Sequence, residues 1–296
     1  MLRYDAGEII TAMVTPMDEN RNVDFKGVKI LSKHLIDNNT DTILVAGTTG
    51  ESPTLTFEEE IELLEAVRAV VGKSSKIVMG AGSNCTATAV SASKKAIAAG
   101  ADSILSVVPY YNKPSQKGMY EHFATIAKAI KDTPIILYNI PGRTGVNMLP
   151  DTVAKLTKDF DNIVALKQSF PDMDAITELK EKLSSDVAIY CGDDGLTLPM
   201  LSLGAHGVIS VASHVVGKDM KALVGAFKEG RTEDALKLHL RLAPLFRKLF
   251  MAPNPVPVKY ALSKIGVISD YVRRPLVELS AEEKEEFLKV FENYIS

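Results

Sequence analysis

Eight short runs of apolar, often β-branched residues punctuate the chain. They are IITAMVTP (9–16), TILVAGTTG (42–50), KIVMGAGS (76–83), SILSVVPY (103–110), PIILYNIP (134–141), IVALKQS (163–169), VAIYCGDD (187–194) and GVISVAS (207–213). Each is continuously apolar where a half-exposed strand would alternate. That is the pattern of strands buried on both faces, as in a parallel sheet. The segments between them carry helical periodicity. In FKGVKILSKHLIDNN the apolar positions Val28, Leu31, Leu35 and Ile36 recur at three- and four-residue steps. TFEEEIELLEAVRAVVGK opens on Thr56, an N-cap residue, places acids in its first turn and closes on Gly72-Lys73.

Strand followed by helix, eight times over, predicts an α/β fold of the (β/α)8 TIM barrel type. An open doubly wound sheet is the rival, and the similar size of the eight units favours closure. After about residue 216 no further strand is predicted. The remaining segments, including TEDALKLHLRLAPLFRKLF, VPVKYALSKIG and SAEEKEEFLKVFENYI, read as helices. The predicted organisation is a barrel domain over 1–230 and a C-terminal helical region over 231–296 packed on it. Pro253, Pro255 and Pro257 break the chain between two of those helices.

Composition narrows the function. The net charge of −3 and the lack of a basic block argue against nucleic acid as a partner. No apolar run approaches the roughly 20 residues that span a bilayer, and the N-terminus lacks a signal-peptide core. Cys85 and Cys191 stand far apart, outside disulfide-framework or zinc spacing. A cytoplasmic protein is expected. The five histidines show no ligand spacing, so no metal is expected. GAGSNC (80–85) lacks the third glycine of a dinucleotide fingerprint, so no nicotinamide cofactor is expected. Asp193 and Asp194 could bind a cation, but N-capping a helix that starts near Leu196 is the preferred reading.

In such barrels chemistry gathers at the C-terminal strand ends. Here those ends carry Gly47-Thr48-Thr49-Gly50-Glu51-Ser52, Pro109-Tyr110-Tyr111-Asn112, Tyr138-Asn139 with Pro141-Gly142-Arg143-Thr144-Gly145, Lys167, and Gly192-Asp193-Asp194. Lys167 directly follows Val164, Ala165 and Leu166. A lysine at the end of a buried strand points into the barrel mouth, where desolvation disfavours the ammonium form. A neutral amine there attacks a ketone to form a Schiff base. The protonated imine then withdraws electrons, and the adjacent carbon loses a proton. Hydroxyls of Tyr138, Tyr111 and Thr48 are candidate proton shuttles. Arg143 and the amides around Thr48 and Thr49 suit a carboxylate. Taken singly, each residue also has an ordinary reading: a solvated lysine, packed tyrosines, a turn, a surface arginine. Their joint placement on one barrel face carries the case.

GTTGES, VVPYYNKPSQKG, LYNIPGRTG, the lysine six residues past Asp161, GDDGLTLPMLSLGAHGVISV and NPVPVK together resemble the dihydrodipicolinate synthase family. That family lies within the pyruvate-dependent class I aldolase superfamily, which includes N-acetylneuraminate lyase. The resemblance covers essentially the whole chain. It implies condensation of pyruvate with L-aspartate-4-semialdehyde in lysine and diaminopimelate biosynthesis, without a metal or organic cofactor. By the resemblance, Lys167 is the Schiff-base lysine and Tyr138 the proton shuttle, with Thr48 and Tyr111 as its relay. Thr49 holds the pyruvate carboxylate, Arg143 the semialdehyde carboxylate, and the backbone at Gly192 and Ile209 lines the pocket. It also implies a homotetramer, a dimer of dimers, in which Tyr111 reaches into the neighbouring subunit.

Departures from the family pattern bear on the second substrate and on regulation. After the lysine the family usually reads Glu-Ala-Ser or Glu-Ala-Thr. This chain reads Gln168-Ser169-Phe170-Pro171-Asp172. A 2-keto-3-deoxy sugar acid aldolase is therefore the nearest rival, against which the charge of Arg143 argues. A keto-acid-binding barrel without turnover is the rival of a different class. At the family's feedback site Phe57 and Thr88 replace a histidine and a glutamate, while Ser52, Asn84 and Tyr110 remain. Loss of a carboxylate facing the effector's ammonium removes a charge-assisted contact. Free L-lysine is thus expected to inhibit weakly or not at all.

Overall fold

The computed structural model describes residues 1–295. Eight parallel strands close in sequence order, each bonded to the next and the last to the first. They are β1 (Ile9–Ala12), β2 (Thr42–Val45), β3 (Lys76–Gly80), β4 (Ser103–Val107), β5 (Ile135–Asn139), β6 (Ile163–Gln168), β7 (Ala188–Cys191) and β8 (Gly207–Ser210). The closed barrel, and not the open sheet, is the architecture. The apolar runs start where expected but overshoot the strands. Their last residues, among them Val14, Ala46 and Val108, are buried loop positions at the barrel mouth.

Alternate strand residues divide between two cores. Ile10, Leu44, Val78, Leu105, Ile136, Val164, Tyr190 and Ile209 fill the barrel interior. Ile9, Ile43, Ile77, Ile104 and Ile135 face outward under the helices. The helix Phe25–Asp37 buries Val28, Leu31 and Leu35 against this outer face, and Asp24 caps it by accepting from the amides of Lys26 and Gly27. The helix Phe57–Val71 starts with a capping box. The Thr56 hydroxyl accepts from the Glu59 amide, and the Glu59 carboxylate accepts from the Thr56 amide. No helix among the described residues is long and apolar enough to cross a membrane.

The helix Ser213–Lys228 packs against β1, and beyond it lie helices Thr232–Lys248, Val256–Lys264 and Ala281–Phe291. The first of these runs through Pro244. This C-terminal part is anchored to the loop after β2 by a fully buried ion pair between Lys259 and Glu51. Lys259 Nζ also donates to the Tyr271 carbonyl at 2.7 Å, and the Arg273 amide donates to Glu51 Oε2 at 2.8 Å. Burial pushes the Lys259 ammonium towards its neutral form, and the facing Glu51 carboxylate opposes that. Glu51 adopts a left-handed backbone conformation, with φ at 57°. The two bonds to its carboxylate, from Lys259 Nζ and the Arg273 amide, hold it there.

Candidate active site at the barrel mouth

Lys167 is the fifth residue of β6 and lies beside Tyr138 of β5 in the strand register. Leu166 packs outward and Lys167 therefore turns inward, above the apolar barrel core. It is only 7% exposed, and its Nζ sits 4.2 Å from the centre of the Tyr138 ring. No carboxylate pairs with it among the described residues. Gly192, just past β7, makes room for it. A Cβ there would stand 2.9 Å from Lys167 Cε and 1.8 Å from Ser169 Oγ, so any side chain would drive into both.

The Thr48–Thr49 loop is shaped by its neighbours. Ala46 turns the chain out of β2 with φ at 52°. The Gly50 amide donates back to the Gly47 carbonyl, and the Thr15 hydroxyl donates to the Gly50 carbonyl at 2.6 Å. Thr49 is buried, and its Oγ1 accepts from Asn254 Nδ2 at 2.9 Å. Arg143 lies in the single helical turn Pro141–Thr144 and is exposed, with no ion-pair partner among the described residues. Lys167, Tyr138, Thr48, Thr49, Arg143, Gly192 and Ile209 line one cavity of about 490 Å³. Tyr111 does not. Its φ is 70°, and it is 89% exposed.

One expectation needs correcting. Asp193 does cap the short turn Asp194–Leu196, accepting from the Gly195 amide. Asp194 does not. It is fully buried and binds the loop after β8, accepting from Ser210 Oγ at 2.5 Å and from the amides of Val211 and Ala212 at 3.1 and 2.8 Å. Burial pushes its carboxyl up to about 6 against those three bonds. His214 is likewise structural. The Val14 amide donates to Nε2, so Nδ1 carries the proton and donates to the Val211 carbonyl at 2.8 Å. Burial brings it down to about 4 and keeps it neutral.

Sequence reasoning missed two cavity groups, Asn254 and Glu60. Asn254 lines the cavity and leaves its Oδ1 buried without a partner among the described residues. Ser169, one of the departures from the family pattern, sits beside the lysine stem and does not itself line the cavity. Glu60 faces the outer part of the cavity, near Phe57 and Thr88, and burial pushes it up to about 8. Below about pH 4.5 Glu60 is protonated in both folded and unfolded chains. From there to about 8 only the folded chain keeps the proton, so this group lowers stability as pH rises through that window. Glu60→Gln is expected to leave stability nearly unchanged at pH 4.5 and to raise it by on the order of 2–4 kcal/mol at pH 8. Urea unfolding at the two pH values checks this, and an equal gain at both would contradict it.

A profile of the dihydrodipicolinate synthetase family matches residues 5–294. The chain belongs to that family. A family relative from Prochlorococcus marinus (strain MIT 9301), named 4-hydroxy-tetrahydrodipicolinate synthase, is 50% identical over 280 residues, covering 95% of this chain and 93% of its own. The dihydrodipicolinate synthase structure from Bacillus anthracis superposes with a TM-score of 0.95 at 47% identity, covering 99% of each chain. The family member from Cyanidioschyzon merolae, solved with lysine bound, gives 0.94 at 43% identity, covering 97% of this chain and 98% of that one. Within the family frame, the two departures after Lys167 take opposite directions. Gln168 faces the other side of the sheet, where its Oε1 accepts from Asn139 Nδ2 at 3.1 Å. Ser169 packs on Gly192.

Proposed function

We propose that this chain condenses pyruvate with L-aspartate-4-semialdehyde to 4-hydroxy-tetrahydrodipicolinate, within lysine and diaminopimelate biosynthesis. The observation that carries the reading is the pairing of buried Lys167 with Tyr138 in one cavity that also holds Thr49 and Arg143. In this reading the Lys167 amine forms a Schiff base with the keto carbon of pyruvate, and the protonated imine is the electron sink. Tyr138 moves protons to and from the bound pyruvate, with Thr48 behind it. Thr49 holds the pyruvate carboxylate. Arg143, unpaired at the entrance, takes the carboxylate of the semialdehyde. The chemistry calls for no metal or organic cofactor.

The exposure of Tyr111 supports a supplied partner. In the proposed homotetramer, a dimer of dimers, this tyrosine enters the relay of a second copy of the chain. The test of the whole reading is direct. Incubation with pyruvate, then borohydride, should add one reduced adduct that maps to Lys167. Aspartate semialdehyde should then be consumed far faster than glyceraldehyde. A preference for glyceraldehyde would favour a sugar-acid aldolase, and no turnover with either would favour a binding protein.

Tyr138→Phe is expected to slow turnover on the order of 10²-fold or more while leaving the pyruvate adduct in place. Native-rate turnover in that variant would remove Tyr138 from the shuttle. Free L-lysine is expected to inhibit weakly, since Phe57 and Thr88 offer no charge to its ammonium and burial holds Glu60 protonated at neutral pH. Potent inhibition in a coupled assay would contradict this.

A further inference from the structure

The geometry points to Ser169 as a hydroxyl that hydrogen-bonds the keto-acid adduct on Lys167, an inference that rests on the Schiff-base reading above. Ser169 follows β6 directly, and its amide donates to the Asn139 carbonyl at 2.9 Å, fixing the backbone between the ends of β5 and β6. Its Oγ is buried and has no hydrogen-bond partner among the described residues. Other hydroxyls are unpartnered too, including Ser103 and Ser106. Ser169 differs in where it stands. Its Oγ lies 1.8 Å from the point where a Gly192 side chain would begin, and Lys167 Cε lies 2.9 Å from the same point. The absent side chain at Gly192 thus leaves room that the serine hydroxyl and the lysine stem together fill, which places the hydroxyl beside the lysine.

A buried hydroxyl without a partner is unfavourable in the free protein, and a ligand oxygen brought to it relieves that. The first covalent step creates such an oxygen. Attack of the neutral Lys167 amine on the keto carbon forms a C–N bond. One amine proton passes to the former carbonyl oxygen, giving a carbinolamine. That hydroxyl takes one further proton from the Tyr138 relay and leaves as water. Its C–O bond breaks, and the nitrogen lone pair makes the C=N bond of the protonated imine. Ser169 donates a hydrogen bond to the departing oxygen and transfers no net proton. An alanine, usual at this place in the family pattern, offers no such donor.

The test is rapid-quench trapping. Native protein and Ser169→Ala are mixed with pyruvate, quenched with borohydride at successive times and weighed. The expected result is adduct formation on the order of 10-fold to 100-fold slower in Ser169→Ala, reaching the same final extent on Lys167. The KM for the semialdehyde should stay within about twofold and the melting temperature should not fall, as removal of one unpaired hydroxyl predicts. Ser169→Gly, which also lacks the donor, repeats the measurement if the alanine variant expresses poorly. An unchanged adduct rate overturns the inference, as does a defect confined to the semialdehyde. Slowing together with a lower melting temperature overturns it as well, because it marks lost packing. No adduct in the native protein would overturn the Schiff-base reading itself, a result separable from all of these.

Discussion

Lys167→Ala is expected to abolish the borohydride-trapped pyruvate adduct and to lower turnover by on the order of 10³-fold or more, to background. The loss is this large because the side chain is the covalent partner, and no neighbouring amine stands in for it. The cavity-lining residues include one other cation, Arg143, whose guanidinium does not act as a nucleophile at these pH values. The same change should not weaken the fold. Lys167 is 7% exposed, lies over an apolar core and has no carboxylate partner among the described residues, so a polar group is held there at a cost to stability. Lys167→Met, closer in shape, is the better probe of that cost. It should be inactive and yet melt at least as high as the native protein, a trade of stability for activity. A trapped adduct in Lys167→Ala, or a fall of several degrees in Lys167→Met, would contradict the account.

The second large effect is one of stability. Lys259→Met is expected to cost about 3–5 kcal/mol, because it leaves Glu51 charged, buried and without its partner. It also strips the Tyr271 carbonyl of its donor. Adding Glu51→Gln removes the stranded charge and keeps an oxygen for the Arg273 amide. The double variant should therefore recover at least about half of the loss. Urea unfolding of the two single variants and the double variant measures the coupling. A cost below about 1 kcal/mol for Lys259→Met would show that the pair is not the anchor. Activity should fall with stability, since Glu51 closes the loop that carries Thr48 and Thr49.

How far the sequence reveals these features depends on the range of the interaction. The strands were legible because a strand buried on both faces is written as an unbroken apolar run. Their C-terminal limits were not, because mouth residues such as Val14 and Ala46 are buried without being paired in the sheet. Thr56 was legible as a cap because both members of its capping box lie within four residues. Lys167 announced itself as a charge behind three apolar residues. Asn254 gave no such sign, since its partner Thr49 is 205 residues away. Asp194 was misread because a nearby helix start supplies a local explanation, while its true donors, Ser210, Val211 and Ala212, come from another strand end. Ser169 matters only through Gly192, which reaches it across the barrel rim.

The link from Asn254 to Thr49 and the clasp of Lys259 on Glu51 also bear on how the protein is made. All eight strands and Lys167 are translated before either clasping residue. A chain cut short at Gly230 would retain every barrel strand and the Thr15 bond to Gly50, yet lack the Asn254 and Lys259 contacts on the Thr48–Thr49 loop. Keto-acid capture should therefore be acquired late in synthesis, when the tail folds back over a barrel already closed.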